Sequence, residues 1–213
     1  MASFDLQRFF IVLPVLLLSI AIHEFAHCWV TDRLGDDTPR RLGRVTLNPL
    51  KHLDPMGTLM IIVSSFAGFG IGWGKASPFN PANFKNPARD RMLSTIAGPI
   101  SNLVQMLAWA SLGVLLTSVL SPMTPVYEIA RSVCYFGLVI NAVLAAFNLI
   151  PIYPLDGHHI LSYLAPPSWR PVIDNPLWGI VFIVLVFSGK ASLIIGPLVN
   201  IALIGTRIIV GPF

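Results

Sequence analysis

Four stretches of this sequence are long and apolar enough to cross a lipid bilayer, which fixes the solvent the chain must fold in. A spanning helix needs about 20 mostly apolar residues, since the hydrocarbon is about 30 Å thick and each helical residue rises 1.5 Å. Phe9 to Val30, Met92 to Leu120 and Ser132 to Ile150 each meet that length. Leu177 to Val210 is long enough for a pair broken near Ser188-Gly189-Lys190, with Gly196-Pro197 set to kink or break the second member. Composition agrees. Only 11% of the 213 residues are charged and the mean hydropathy is +0.73, whereas a soluble domain carries about a quarter of its residues as charges. The expectation is one all-α polytopic membrane domain over residues 1–213, a bundle of about 4–6 transmembrane helices. Its catalytic core would lie at about 10–160 and its C-terminal helices at about 177–210.

The N-terminal run is not expected to be a cleaved leader. Its flank balances Arg8 against Asp5, and it ends in a His- and Glu-rich stretch instead of a small-residue cleavage site. Leu53 to Gly74 reads differently from the spans. Met60 to Phe69 is apolar but dissolves into Gly68, Gly70, Gly72 and Gly74, and glycine at every second position suits an extended, β-like backbone with one bare face. Such backbone survives at membrane depth only inside protein or beside a wet cavity. Arg33, Arg40, Arg41, Arg44 and Lys51 precede this segment, and Lys75, Lys85, Arg89 and Arg91 follow it, so nine of the 14 basic residues flank it. Basic loops stay in the cytoplasm, so a segment that dips in and returns keeps both clusters on that side. The expected orientation is a cell-membrane protein with its N-terminus outside and 31–91 and 152–176 cytoplasmic. The net charge of +4 sits in these loops and carries no nucleic-acid signature.

The chemistry concentrates at His23-Glu24-Phe25-Ala26-His27, an H-E-x-x-H pattern at the cytoplasmic end of the first span. Residues four apart share a helix face, so His23 and His27 can hold one metal, with Glu24 beside them to take a proton from water that the metal acidifies. Ionisable groups in an apolar helix are costly and mark function by default. Cys28 follows directly but is turned by about 100° from His27, away from the metal. Two histidines leave zinc short of a third protein ligand. Asp156 is the candidate, presented after Pro151 and Pro154 stop the Ser132–Ile150 helix; an ordinary turn aspartate before Gly157 fits the same residues.

The pairing of H-E-F-A-H at 23–27 with N-x-x-P-x-x-P-L-D-G at 148–157 resembles the site-2 protease family of intramembrane zinc metalloproteases. Gly98-Pro99-Ile100-Ser101-Asn102 and Gly72-Trp73-Gly74-Lys75 add to the resemblance, which covers roughly residues 10 to 160. It implies a Zn2+ site of His23, His27 and Asp156, with Glu24 as catalytic base and Asn148 near the substrate or the oxyanion. It also implies that the glycine-rich loop, through Gly70 and Gly72, holds substrate as an added strand. The substrate would be a transmembrane segment of another protein, cleaved in regulated proteolysis within the bilayer.

Tyr153 stands where the family often has Pro, and His158 and His159 raise an alternative or additional ligand. Asn102 is a further candidate for substrate contact, although it and Ser101 equally suit close helix packing. His52 and the 32–44 charge run read as solvated interface residues. Trp29, Trp73 and Trp178 sit at span ends, as membrane aromatic belts do. The rival reading is a metal transporter or membrane metal scaffold without hydrolysis.

Overall fold

The computed structural model of the chain describes residues 6–66 and 72–210. Among them are nine α-helices: α1 (Leu6–Arg33), α2 (Thr38–Arg41), α3 (Pro55–Phe66), α4 (Pro87–Val119), α5 (Pro125–Asn148), α6 (Asp156–Leu164), α7 (Arg170–Ile173), α8 (Leu177–Phe187) and α9 (Ala191–Val210). The described residues contain no strand, so the architecture is an all-α membrane protein.

Three helices, α1, α4 and α5, are long and apolar enough to cross a membrane. They correspond to the first three runs, extended at their polar ends by turns whose charges kept them out of the apolar windows: Leu6 to Arg8 and Arg33 on α1, Pro87 to Arg91 on α4, Pro125 to Arg131 on α5. The C-terminal run divides as expected, at Gly189, whose φ of +72° is a left-handed conformation. Its first half is shorter than a span: α8 has 11 residues, about 16 Å of helix. The second half, α9, stays helical through Pro197.

The helices α1, α4 and α5 pack against one another and make the core. Met106 and Ala110 of α4 meet Leu138 and Ala142 of α5, and Val199, Ala202 and Leu203 bring α9 onto that seam. Lipid tails are as apolar as these side chains, so helix association here rests on close fit and on polar bonds between helices. The outward faces carry Leu18, Val104, Leu115 and Val126, all well exposed and suited to lipid.

The segment 53–74 returns to its starting point. Leu53 and Gly74 form an isolated antiparallel bridge, and the Lys75 amide donates to the His52 carbonyl at 2.8 Å. A segment whose two ends pair enters and leaves on one side. Among the described residues its first limb is the helix α3, and non-helical backbone begins at Gly72 on the return limb. The apolar run Met60–Phe66 holds helix because the alternating glycines start only after it. Gly68 and Gly70 lie outside the described residues. Gly72 lies against α3, where a Cβ would sit 2.2 Å from Ile61 Cγ1 and 2.3 Å from the Gly57 carbonyl oxygen. The connection 165–176 contains α7 and a 3-10 turn at Pro167–Trp169, helical despite its prolines because Pro suits first-turn positions.

The polar loops are less solvated than the charge pattern implies. His52 is fully buried, with Nε2 bonded to the Thr46 carbonyl at 2.7 Å. Arg44 is buried too, its Nη2 donating to the Lys75 carbonyl at 2.6 Å. Asp36 is fully buried and accepts from Thr38 N at 3.1 Å, Thr38 Oγ1 at 2.5 Å, Asn80 N at 2.5 Å and Asn83 Nδ2 at 2.8 Å. These contacts staple the chain after α1 to the chain before α4. They are corrections to the solvated reading: Arg44 and Asp36 meet groups 31 to 47 residues away, and His52 is held by a carbonyl of its own loop.

Burial alone would push the Asp36 carboxyl up, but the donors from Thr38, Asn80 and Asn83 outweigh it and hold the group below the usual carboxylate range. A carboxyl depressed in the fold stabilises it above the unfolded pKa of about 3.9 and loses that effect as pH falls through the folded value. Asp36→Ala should therefore cost about 2 kcal/mol at pH 7, read as a lower thermal midpoint in detergent. The gap to wild type should narrow steadily from pH 5 to pH 3.

Candidate metal centre

His23 and His27 lie one turn apart on α1, and both are buried. Their Nε2 atoms are 3.0 Å apart, and each is 3.3 Å from Asp156 Oδ2. Among the described residues these three make the one His, Cys, Asp and Glu group whose potential ligand atoms all lie within 4.8 Å of one another. Asp156 opens α6, reached through a tight turn after α5 in which Ile152 N bonds Ile150 O and Leu155 N bonds Ile152 O. The Tyr153-Pro154 bond in that turn is cis.

The proton positions follow from the outer partners. His27 Nδ1 is 2.9 Å from the Ser94 carbonyl, which can only accept, so Nδ1 carries the hydrogen. For His23 the constraint comes through two amides. Asn141 Nδ2 donates to the Gly137 carbonyl at 2.8 Å and to Ser19 Oγ at 2.9 Å, which turns Asn141 Oδ1 toward Asn102 Nδ2 at 2.9 Å. Asn102 must then face His23 Nδ1 with its oxygen, at 2.6 Å. With both imidazoles neutral, their Nε2 atoms are bare lone pairs, facing each other and a carboxylate. Asp156 Oδ2 is buried and has no hydrogen bond. In that state three lone-pair donors converge, an arrangement that a cation satisfies. A tetrahedral zinc with bonds of 2.0–2.1 Å keeps its ligands about 3.3–3.4 Å apart, so the donor set and the His–Asp spacing fit zinc.

The backbone of α4 forms the floor of this group. A Cβ on Gly98 would lie 2.3 Å from His27 Nε2 and 2.6 Å from His23 Cε1. Sequence reading placed Gly98 in a motif without assigning it work; its signal is only that a glycine interrupts an otherwise good helix. The hydroxyls of Thr31 and Ser94 bond across the same α1–α4 seam.

Glu24 adjoins the group, and its Oε2 is buried without a hydrogen-bond partner. The return limb of the re-entrant segment passes beside it, with a Cβ on Gly74 falling 3.5 Å from Glu24 Cγ and 2.8 Å from Ile20 Cγ2. Cys28 points elsewhere, bonding Ser77 Oγ at 3.1 Å. Asn148 ends α5, and its Nδ2 donates to the Leu144 carbonyl at 3.0 Å, a bond within its own helix. Asn102, expected among the substrate contacts, has both ends of its amide occupied behind His23.

His158 and His159 have other partners. His158 Nε2 is 3.0 Å from Asp174 Oδ1, and His159 Nδ1 is 3.1 Å from Arg91 Nη2. Burial, with Arg91 and His158 adding to it, pushes the His159 imidazole down to about 4, so it is neutral at pH 7 and accepts from the guanidinium.

Two outcomes follow. Gly98→Ala suits the helix better by intrinsic propensity yet displaces both imidazoles, so the purified variant should hold well under one zinc by elemental analysis. Asn102→Ala should lower zinc affinity about 10- to 100-fold in chelator competition, as outer-shell partners of metal-bound histidines do.

Residues 118–187 match Peptidase family M50. The chain is 38% identical over 188 residues to "Putative zinc metalloprotease YwhC" of Bacillus subtilis, covering 87% of this chain and 84% of that one. It is 30% identical over 188 residues to "Putative zinc metalloprotease Rip2" of Mycolicibacterium smegmatis, covering 86% and 68% of the two chains. The Mycobacterium tuberculosis Rip2 is 30% identical over 181 residues, covering 84% and 67%. No solved structure matches the chain.

Proposed function

The chain belongs to peptidase family M50 and is an intramembrane zinc metalloprotease, and on that premise we propose how its residues divide the work. His23, His27 and Asp156 hold the zinc. The observation that carries this is the convergence of three potential ligand atoms from α1 and α6, with Asp156 Oδ2 buried and without a hydrogen bond. When bound, the zinc supplies a Lewis acid that acidifies water and polarises a carbonyl. Glu24, unpartnered beside the ligands, takes the proton from the attacking water and returns it to the departing amine. Asn148 has a second Nδ2 hydrogen beyond the one given to Leu144, and this is the donor assigned to the developing oxyanion.

The substrate is a transmembrane segment of another protein, opened from helix to extended form before cleavage. An extended peptide paired with the glycine-rich loop, for which Gly70 and Gly72 are the candidates, would bring its backbone toward the base, because the chain after Gly72 passes beside Glu24 at Gly74. The pairing of Leu53 with Gly74 brings the two ends of the segment together, which supports a reading with the basic flanks 33–51 and 75–91 on one face. The positive-inside rule makes that face cytoplasmic, in a multi-pass cell-membrane protein whose active site opens toward the cytoplasm. Residues 1–213 act as one domain.

The test is Glu24→Gln in detergent with a single-span substrate and mass-spectrometric mapping of the cut. The variant should keep about one zinc and lose cleavage by about a thousandfold. Asp156→Ala should lose the zinc itself. Cleavage by Glu24→Gln at the wild-type rate would remove the glutamate from the mechanism. A cut only in soluble tails would remove the transmembrane substrate.

A further inference from the structure

Where α1 ends and α4 begins, the fold leaves a cavity of about 290 Å³ whose walls include Arg33, Gly35, Lys85, Asn86, Arg89 and Asp90. That volume is roughly ten waters' worth, enough for a phosphate with a small substituent. The three cations come from three places: the last residue of α1, the loop, and the first turn of α4. The single carboxylate in the wall is already engaged. Asp90 is buried, its Oδ2 accepts from Asn86 N at 2.9 Å, and its Oδ1 is 3.7 Å from Arg89 Nε. Lys85 has no ion pair among the described residues, and Arg33 lies over the Trp29 ring at 5.3 Å. The wall therefore carries two positive charges in excess.

The start of α4 adds to that field. This helix has 33 residues, Pro87 at its first turn has no N–H, and Asn86 makes no side-chain cap bond, so the positive end of the helix dipole faces the cavity with Asp90 as its only acid. Position supplies the last constraint. Trp29 is 44% exposed beneath Arg33, at the end of a spanning helix, where aromatic side chains mark headgroup depth.

We propose that this cavity binds the phosphate of an anionic phospholipid headgroup, bridging Arg33 on α1 to Lys85 and Arg89 at the start of α4. The recognised chemistry is a phosphate monoanion, which free phosphate also offers; the depth of the cavity favours the lipid. One turn above it, on the same seam, Ser94 bonds Thr31 and accepts from His27. A bridging phosphate therefore clamps the two helices that support the metal centre. Neither the cavity nor its occupant depends on the protease assignment.

The experiment is native mass spectrometry and thermal unfolding of the zinc-loaded chain in neutral detergent. Phosphatidylglycerol, phosphatidylcholine or inorganic phosphate is titrated in turn, against a triple variant R33Q/K85Q/R89Q. Wild type should retain phosphatidylglycerol over phosphatidylcholine by about fivefold for each cation, with a raised midpoint. The triple variant should bind both lipids alike and match wild type in phosphatidylcholine alone. A midpoint shift with inorganic phosphate equal to that with phosphatidylglycerol, absent in the variant, assigns the cavity to free phosphate and overturns the lipid. Equal retention of the two lipids by wild type, or undiminished retention by the variant, overturns the site. Should the triple variant not fold, Lys85→Glu in the exposed loop must lower phosphatidylglycerol retention in the same sense, and unchanged retention there overturns the proposal. No readout requires peptide cleavage, so a failure here leaves the protease mechanism standing.

Discussion

A relay of buried hydrogen bonds runs from the α5 backbone to His23 on α1, and the proposed metal centre depends on it. The Gly137 carbonyl fixes Asn141, Asn141 fixes Asn102, and Asn102 fixes the proton on His23. Ser19 joins the same relay, accepting from Asn141 and donating to the Val15 carbonyl. In an apolar interior each of these groups is expensive to leave unpaired, and each has a partner that leaves only one orientation. The relay thus does two jobs. It holds α1, α4 and α5 together where apolar packing gives no preference over lipid, and it presents Nε2 of His23 as a bare lone pair.

Close backbone approach completes that arrangement. With no side chain at Gly98, α4 lies directly on both imidazoles, so the ligands are confined from behind as well as bonded at their edges. The carboxylate arrives from the opposite direction, on a helix that begins only after the proline-rich turn has reversed the chain. The proposed ligand geometry is therefore set by three elements, α1, α4 and α6. Glu24, the proposed base, has its Oε2 buried without a hydrogen-bond partner, which suits a group that must exchange protons.

Much of this was legible in the sequence because the signals were local. Helical spacing put His23 and His27 on one face, and the length of the apolar runs placed α1, α4 and α5. Symmetric basic flanks already pointed to a segment that turns back, and the Leu53–Gly74 bridge is the physical form of that return. What sequence could not supply were long-range pairings. Asp36 and Arg44 look like solvated loop residues because partners that bury them lie far along the chain. Asn102 looked equally suited to packing or to substrate; its role became specific only when α5 placed Asn141 behind it. The descending limb of the re-entrant segment is helical because its alternating glycines start after Phe66, and the sequence pattern averaged the two parts together.

The central claim is that zinc sits between two imidazoles and the Asp156 carboxylate. X-ray absorption at the zinc edge of the purified, metal-loaded chain tests it most directly. The account predicts two imidazole nitrogens at about 2.0–2.1 Å, light oxygen scatterers completing the shell, and no sulfur. A sulfur shell at about 2.3 Å would bring in Cys28 and contradict the geometry. A third imidazole would replace Asp156 with His158 or His159 and contradict it equally.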